Sequence, residues 1–228
     1  MPIVNETVVS IDERDINSGR VMEKTLDYVY AQGMLISVPT HYCAYVIPEE
    51  GETVRIKSCQ KKKLSKFLPT EMLGKRFSVL YASTRKLNMM SWGIGSLPIR
   101  YEFLGDACVH VGASGTLIPS ISDPVAFFKA LGRLEGTLNL TECSSAITTA
   151  FRRLASEILV ELFNEASQPV FETTFMVSEM ARRINERVCG VELDRVPGII
   201  FETATVTGIR VNEADKAALV ERFGKRKR

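Results

Sequence analysis

No run of apolar residues in this chain is long enough to span a bilayer as a helix. The longest mostly apolar stretch, Met34 to Ile47, is broken by Pro39, Thr40 and His41, whereas a span needs about 20 residues. Met1 to Arg20 carry acids at Glu6, Asp12, Glu13 and Asp15 and lack the basic-then-apolar order of a signal peptide. The expected location is therefore the cytoplasm, with any membrane contact made peripherally at its inner face or through partners. Paired cysteines are missing too. The five cysteines, Cys43, Cys59, Cys108, Cys143 and Cys189, are scattered, odd in number and free of any CxxC spacing, which argues against a zinc ribbon. Several sit beside apolar neighbours, as in Ala107-Cys108-Val109, so buried free thiols in a reducing compartment are expected. The chain holds two histidines, His41 and His110, and no HExxH. A net charge of +2 points to neither nucleic acid nor an anionic membrane.

What is present is an ordinary globular composition: 228 residues, 45% apolar and 25% charged, enough for a substantial core without metals or disulfides. Residues 1–33 read as an N-terminal extension. There Val21, Met22, Leu26 and Val29 fit a short helix ended by Gly33 or, nearly as well, a strand. From 34 to 116 the pattern is β. Met34 to Val38, His41 to Ile47 and Glu52 to Lys57 are rich in β-branched and aromatic residues, with a hairpin turn at Glu49-Glu50-Gly51. Arg76 to Ser83, Pro98 to Leu104 and Ala107 to Val111 continue the set, with a turn at Gly105-Asp106 and a loop around Gly93, Gly95 and Pro98. Thr116 to Ile121 extends the sheet. Asp123-Pro124 then opens a helix running to Leu134. Ala146, Ile147, Ala150, Phe151, Leu154, Ile158, Leu162 and Phe163 keep helical spacing over about five turns. A third helix spans Phe175 to Val188 and stops at Cys189-Gly190. Gly198 to Val211 alternates as a strand. Asn212 caps a last helix ended by Gly224, and a basic tail follows. Strands, then helices, then one returning strand predict an α+β fold with a mainly antiparallel sheet and helices packed on it. The domain limits expected are 34–211, with 212–228 as a short helix and tail.

Motifs of catalysis are incomplete. Gly112 to Thr116 lacks the last glycine of a nucleophile elbow and reads as a turn. Gly93-Ile94-Gly95 lacks the third glycine of a dinucleotide fingerprint, and Gly74-Lys75-Arg76 is no phosphate loop. Cys108 and His110 would share one strand face, but at about 6–7 Å a direct bond between them is awkward. Both are expected to be structural, Cys108 buried, with an enzyme of unknown type using this pair as the alternative. Lys61, Lys62 and Lys63, with Lys66, form a basic run read as a solvated loop. Together with the tail of Lys225, Arg226, Lys227 and Arg228 it is the candidate surface for anionic lipid or nucleic acid. Without aromatic platforms beside the run, nucleic acid is the weaker partner. No cofactor, metal or catalytic residue is expected.

The run Gly115-Thr116-Leu117-Ile118-Pro119-Ser120-Ile121-Ser122-Asp123-Pro124-Val125-Ala126-Phe127 resembles the hallmark of SPFH (Band 7) domains, the family of stomatins, prohibitins and flotillins. Leu117 stands where that pattern has a tyrosine. Trp92-Gly93 followed by Pro98 resembles a bacterial branch often labelled virion-core-like. So do Gly33 to Val38 with Ala44-Tyr45-Val46, and Gly190-Val191-Glu192-Leu193 leading to Ile209 looks like the family's return strand. The resemblance covers residues 33–211. It lacks the cysteine pairs of that branch's zinc ribbon and the hydrophobic hairpin of membrane-embedded relatives, which argues against direct insertion. It implies structural roles for Trp92, Gly93, Gly115, Ile121, Asp123, Pro124, Phe127 and Gly190. It also implies a non-enzymatic scaffold that forms homo-oligomers and organises client proteins at a membrane surface.

Overall fold

The computed structural model describes residues 7–11, 19–100, 108–165, 174–193 and 195–226. Among these the strands are β1 (Val8–Val9), β2 (Arg20–Lys24), β3 (Tyr28–Val29), β4 (Leu35–Pro48), β5 (Val54–Lys63), β6 (Arg76–Ser83), β7 (Met90–Arg100), β8 (Cys108–Ile121), β9 (Gly136–Asn139) and β10 (Ile199–Val211). The helices are α1 (Pro124–Ala130), α2 (Leu140–Glu165), α3 (Thr174–Arg187) and α4 (Glu213–Arg226). The fold is α+β and mainly antiparallel, as the element order predicts. It divides into two compact units: Met1–Lys86 with Asp123–Ser144, and Leu87–Ser122 with Ser145–Arg228.

The first unit is built on one seven-stranded sheet. β4 pairs with β5 on one side, and with β6 and the short parallel β1 on the other. β2 and β3 line the far side of β6, and β9 pairs with β2. Val9, Ile36, Val46, Leu64, Phe77 and Val79 fill its core. Buried hydroxyls there need partners; the Tyr81 hydroxyl donates to the Val9 carbonyl at 3.0 Å. His41 has a left-handed φ of +68°. It interrupts β4 where the pairing with β5 slips between Val38 and Cys43, so the two strands expected at 34–38 and 41–47 are halves of one bent strand. At α1, the Asp123 carboxylate accepts from the backbone N–H of Val125 at 2.9 Å and Ala126 at 3.1 Å, with Pro124 at the first position. The helix stops at Ala130 rather than Leu134, because Gly132 takes a left-handed φ of +69°. Asn139 and Glu142 then exchange bonds across the start of α2, each side chain accepting from the other's backbone N–H, a capping box.

The second unit holds an antiparallel sheet in the order β10-β8-β7. Strand β8 alternates strictly. Val109, Val111, Ala113, Gly115 and Leu117 are buried, and Cys108, His110 and Ser114 face solvent. The period of two places every second residue on one face. Two expectations fail here. Residues 90–97 are strand, not loop, and 112–116 are strand, not turn. Glycine is tolerated in both because the pairing bulges, between Ile94 and Leu97 on β7 and between Val206 and Gly208 on β10. Residues 145–165 of α2 bury Ile147, Phe151, Ala155, Ile158, Leu159, Leu162 and Phe163. One flank of this stripe carries Glu157, Glu161 and Glu165, one per turn, which pair with Arg195, Arg187 and Arg183 respectively. Glu179 is held down to about 2 by hydrogen bonds from Arg182 and then Arg183. Gly224 does not stop α4, which continues to Arg226. The expected turn at Gly105-Asp106 lies outside the described residues. No helix among the described residues is long and apolar enough to cross a membrane.

Candidate functional site

Two residues separated in sequence meet on the buried face of the second unit's sheet. Trp92 on β7 is the direct register partner of Gly115 on β8. The indole lies over the glycine, and its Nε1–H donates toward the carbonyls of Thr116 at 3.3 Å and Thr205 at 3.2 Å. A Cβ on residue 115 would come within 1.9 Å of the Thr205 oxygen and 2.9 Å of Trp92 Cε2. Gly115 is therefore glycine because a ring and a backbone carbonyl occupy its side-chain space. The Trp92 ring packs on Phe151 at 5.2 Å between centroids, and Phe151 packs edge-on against Phe201 at 5.1 Å. Gly190, with a φ of +74°, donates its N–H to the Phe201 carbonyl at 2.8 Å. Ile121 ends β8 opposite Ile199.

The solvent face of the same sheet is different in kind. It carries a cleft of about 680 Å³ lined by Gly93, Gly95, Gly112 and Gly208, with His110, Ser114 and Arg210 among the side chains. His110 Nδ1 lies 3.0 Å from Asp215 Oδ2, and the same oxygen accepts the His110 backbone N–H at 2.8 Å. Those donors, the backbone N–H first, hold the Asp215 carboxyl below the usual carboxylate range. The Asn212 N–H in turn donates to the His110 carbonyl at 2.9 Å. The start of α4 thus takes over the ladder bonds of β8 where β10 ends at Val211. With Nδ1 engaged, Nε2 is the ring nitrogen left for a ligand. The Ser114 hydroxyl is tied to Thr207 Oγ1 at 3.2 Å.

Cys108 shares this solvent face and is exposed, which corrects the expectation that it is buried: even-numbered β8 positions point outward. Cys43 and Cys143 are buried, and burial pushes the Cys143 thiol up to about 12. Lys61, Lys62 and Lys63 are exposed on strand β5, not on a loop. They lie on its last residues, along an outer strand that pairs only with β4 among the described residues. Asp123, Pro124 and Phe127 belong to the first unit; Trp92, Gly93, Gly115 and Gly190 belong to the second. Lys225 and Arg226 fall in the last turn of α4, and Lys227 and Arg228 lie outside the described residues. Among the described residues no cluster of His, Cys, Asp and Glu has the makings of a metal site.

No family model matches the chain, and no curated protein matches it.

Asp215 and Arg210 are the residues that sequence reasoning passed over. In sequence Asp215 is simply an acid in the first turn of a helix, where it favours the helix dipole, and its partner His110 is 105 positions away in the chain. A signal was there: Asn212 caps a helix directly after a strand whose last residue pairs with Val111, so the first turn of that helix falls beside His110.

Proposed function

We propose that the protein is a non-catalytic scaffold of the SPFH kind that assembles with copies of itself. One observation carries the reading: the outer edge of β7. Among the described residues β7 pairs only with β8, and Met90 to Leu97 contain no charged side chain. An uncharged, unpaired edge is a template for strand addition from a second copy. The opposite edge of this sheet is covered in part: Asn185 Nδ2 donates to the Ala204 carbonyl at 3.2 Å, and the Gly190 N–H donates to the Phe201 carbonyl on the same strand. The exposed lysines of β5 are the surface that would meet anionic lipid, at about 1 kcal/mol per basic residue near the headgroups. The decisive experiment is the native mass of the full chain by light scattering, with and without liposomes containing phosphatidylserine. A mass several times the 25.4 kDa of one chain is expected; a strict monomer at micromolar concentration in both conditions sinks the proposal.

A second reading, an enzyme using Cys108 and His110, gains from one contact. The Asp215 carboxylate orients the His110 imidazole, as a third group orients a catalytic base. Iodoacetamide labelling of the native protein distinguishes the two. A scaffold labels Cys108 at the rate of any exposed thiol, unchanged in His110→Ala. Fast labelling that slows in that variant favours the enzyme.

A further inference from the structure

The solvent face of the three-stranded sheet carries glycines whose side-chain space is open. Gly112 is needed by the chain itself, since a Cβ there would meet the Gly95 and Ile94 carbonyl oxygens at 2.8 and 2.9 Å. Gly95 and Gly208 are the opposite case, with nothing within 4 Å of where a Cβ would stand. At Gly93 the nearest atom is 3.8 Å away, an ordinary contact. None of these three adopts a left-handed φ. Glycine inside a strand weakens it; Gly95 and Gly208 stand at the two bulges, whereas Gly93, in regular register with Ser114, is of the kind that marks close approach of a ligand or another backbone. Here side chains at these positions would project into the cleft of about 680 Å³ that the glycines line. That volume suits a metabolite-sized ligand rather than a single ion.

The rim sets the charge of the ligand. Arg210 is exposed, stands opposite Gly112 in register, and has no ion-pair partner among the described residues. His110 lies two residues along β8 from Gly112, so it is the diagonal neighbour of Arg210, at a separation of about 7–8 Å that long side chains bridge. Asp215 is the acid beside them, but its Oδ2 already receives two donors from His110. We infer that this face binds a small anionic ligand, a carboxylate or a phosphate monoester. Its head pairs with the Arg210 guanidinium beside His110, and its flat body rests on the glycine floor.

The test is titration of the full-length protein with phenyl phosphate and with benzoate, using neutral benzamide as the control. It is read by amide shifts of Gly93, Gly95, Gly208 and Arg210 and by the His110 ring signals. Saturable shifts with either anion and none with benzamide are expected; which anion binds tells the phosphate source from the carboxylate source. Arg210→Gln should weaken binding by about tenfold or more, the loss of a charge-assisted bond. Gly208→Val should weaken it, since the new side chain takes up part of the cleft floor while its Cβ stands in open space. The inference is overturned if neither anion gives saturable shifts up to about 10 mM. It is overturned equally if the shifts persist unchanged in Arg210→Gln, which would mark adventitious surface binding.

Discussion

The outer strands of the two sheets are built on opposite terms. In the first unit β5 presents Arg55, Lys57, Lys61, Lys62 and Lys63 to solvent, so a second strand approaching it meets a row of cations. In the second unit β7 offers Met90-Ser91-Trp92-Gly93-Ile94-Gly95-Ser96-Leu97, with no charge at all. Charged edges resist pairing and uncharged ones invite it. The same division runs inward. The first unit gains its core from many aliphatic side chains across seven strands. The second relies on a chain of rings, Trp92 to Phe151 to Phe201, laid over a glycine. One molecule thus carries one outer strand lined with cations and another whose first eight residues carry none.

The largest effects should come from the two cores, and they separate the units. Phe127 is 3% exposed, and Phe127→Ala should cost about 3–5 kcal/mol in the first unit. Gly115→Ala should cost about 3 kcal/mol or more in the second, because the atoms its Cβ meets include a backbone carbonyl that cannot swing aside. The chain has a single tryptophan, Trp92, buried in the second unit. Its fluorescence therefore reports that unit, while circular dichroism reports both. If Gly115→Ala leaves the fluorescence melting curve unchanged, the packing of Trp92 over Gly115 is wrong.

Next come the edges themselves. Ser91→Lys places on β7 the charge that β5 carries, and should raise the dissociation constant of self-association about tenfold or more through like charges brought together. Lys61→Thr with Lys63→Thr makes the reverse change on β5 and should promote association through the first unit. Sedimentation velocity reads both. Equal masses for wild type and Ser91→Lys would place the assembly surface elsewhere.

Smaller again is the cap. Asp123→Ala should lose about 0.5–2 kcal/mol, since two backbone donors of α1 lose their acceptor. Chemical denaturation followed by circular dichroism measures it, and an unchanged midpoint would mean that solvent replaces the carboxylate without cost.

The cap was legible because its signal is local: Asp then Pro then an apolar run specifies a helix start within four residues. The long helix was legible for the same reason, as periodicity. The strands at 90–97 and 112–116 were not, the first reading as a loop and the second as a turn. Glycine there signals a turn by local rule, and only the bulged pairing of β7, β8 and β10 makes it compatible with strand. The cleft was invisible for a related reason. Its parts come from three strands and a helix start, and the residues that form its floor are those with no side chain to notice. The lysine run was seen, but as a loop, because an outer strand bearing consecutive cations has the composition of one.

The smallest effect concerns the docking of α4, and its sign follows from Asp215. Its carboxyl is held below its ordinary value of 3.8, first by the His110 backbone N–H and then by the ring. A lowered folded value means that the unfolded chain takes up the proton more readily. The contribution is complete above the ordinary carboxylate range and is lost as pH falls through the folded value. Asp215→Ala should therefore raise amide exchange in α4 at neutral pH relative to wild type. The difference should hold down to about pH 5 and shrink below 3.8 as the wild-type carboxylate is protonated. Because the site is a single partly exposed contact, the change in melting temperature should be slight, and exchange of the amides following Asn212 is the sensitive measure. A difference between variant and wild type that stays constant from neutral pH down to pH about 2 would show that Asp215 acts by packing rather than by its charge.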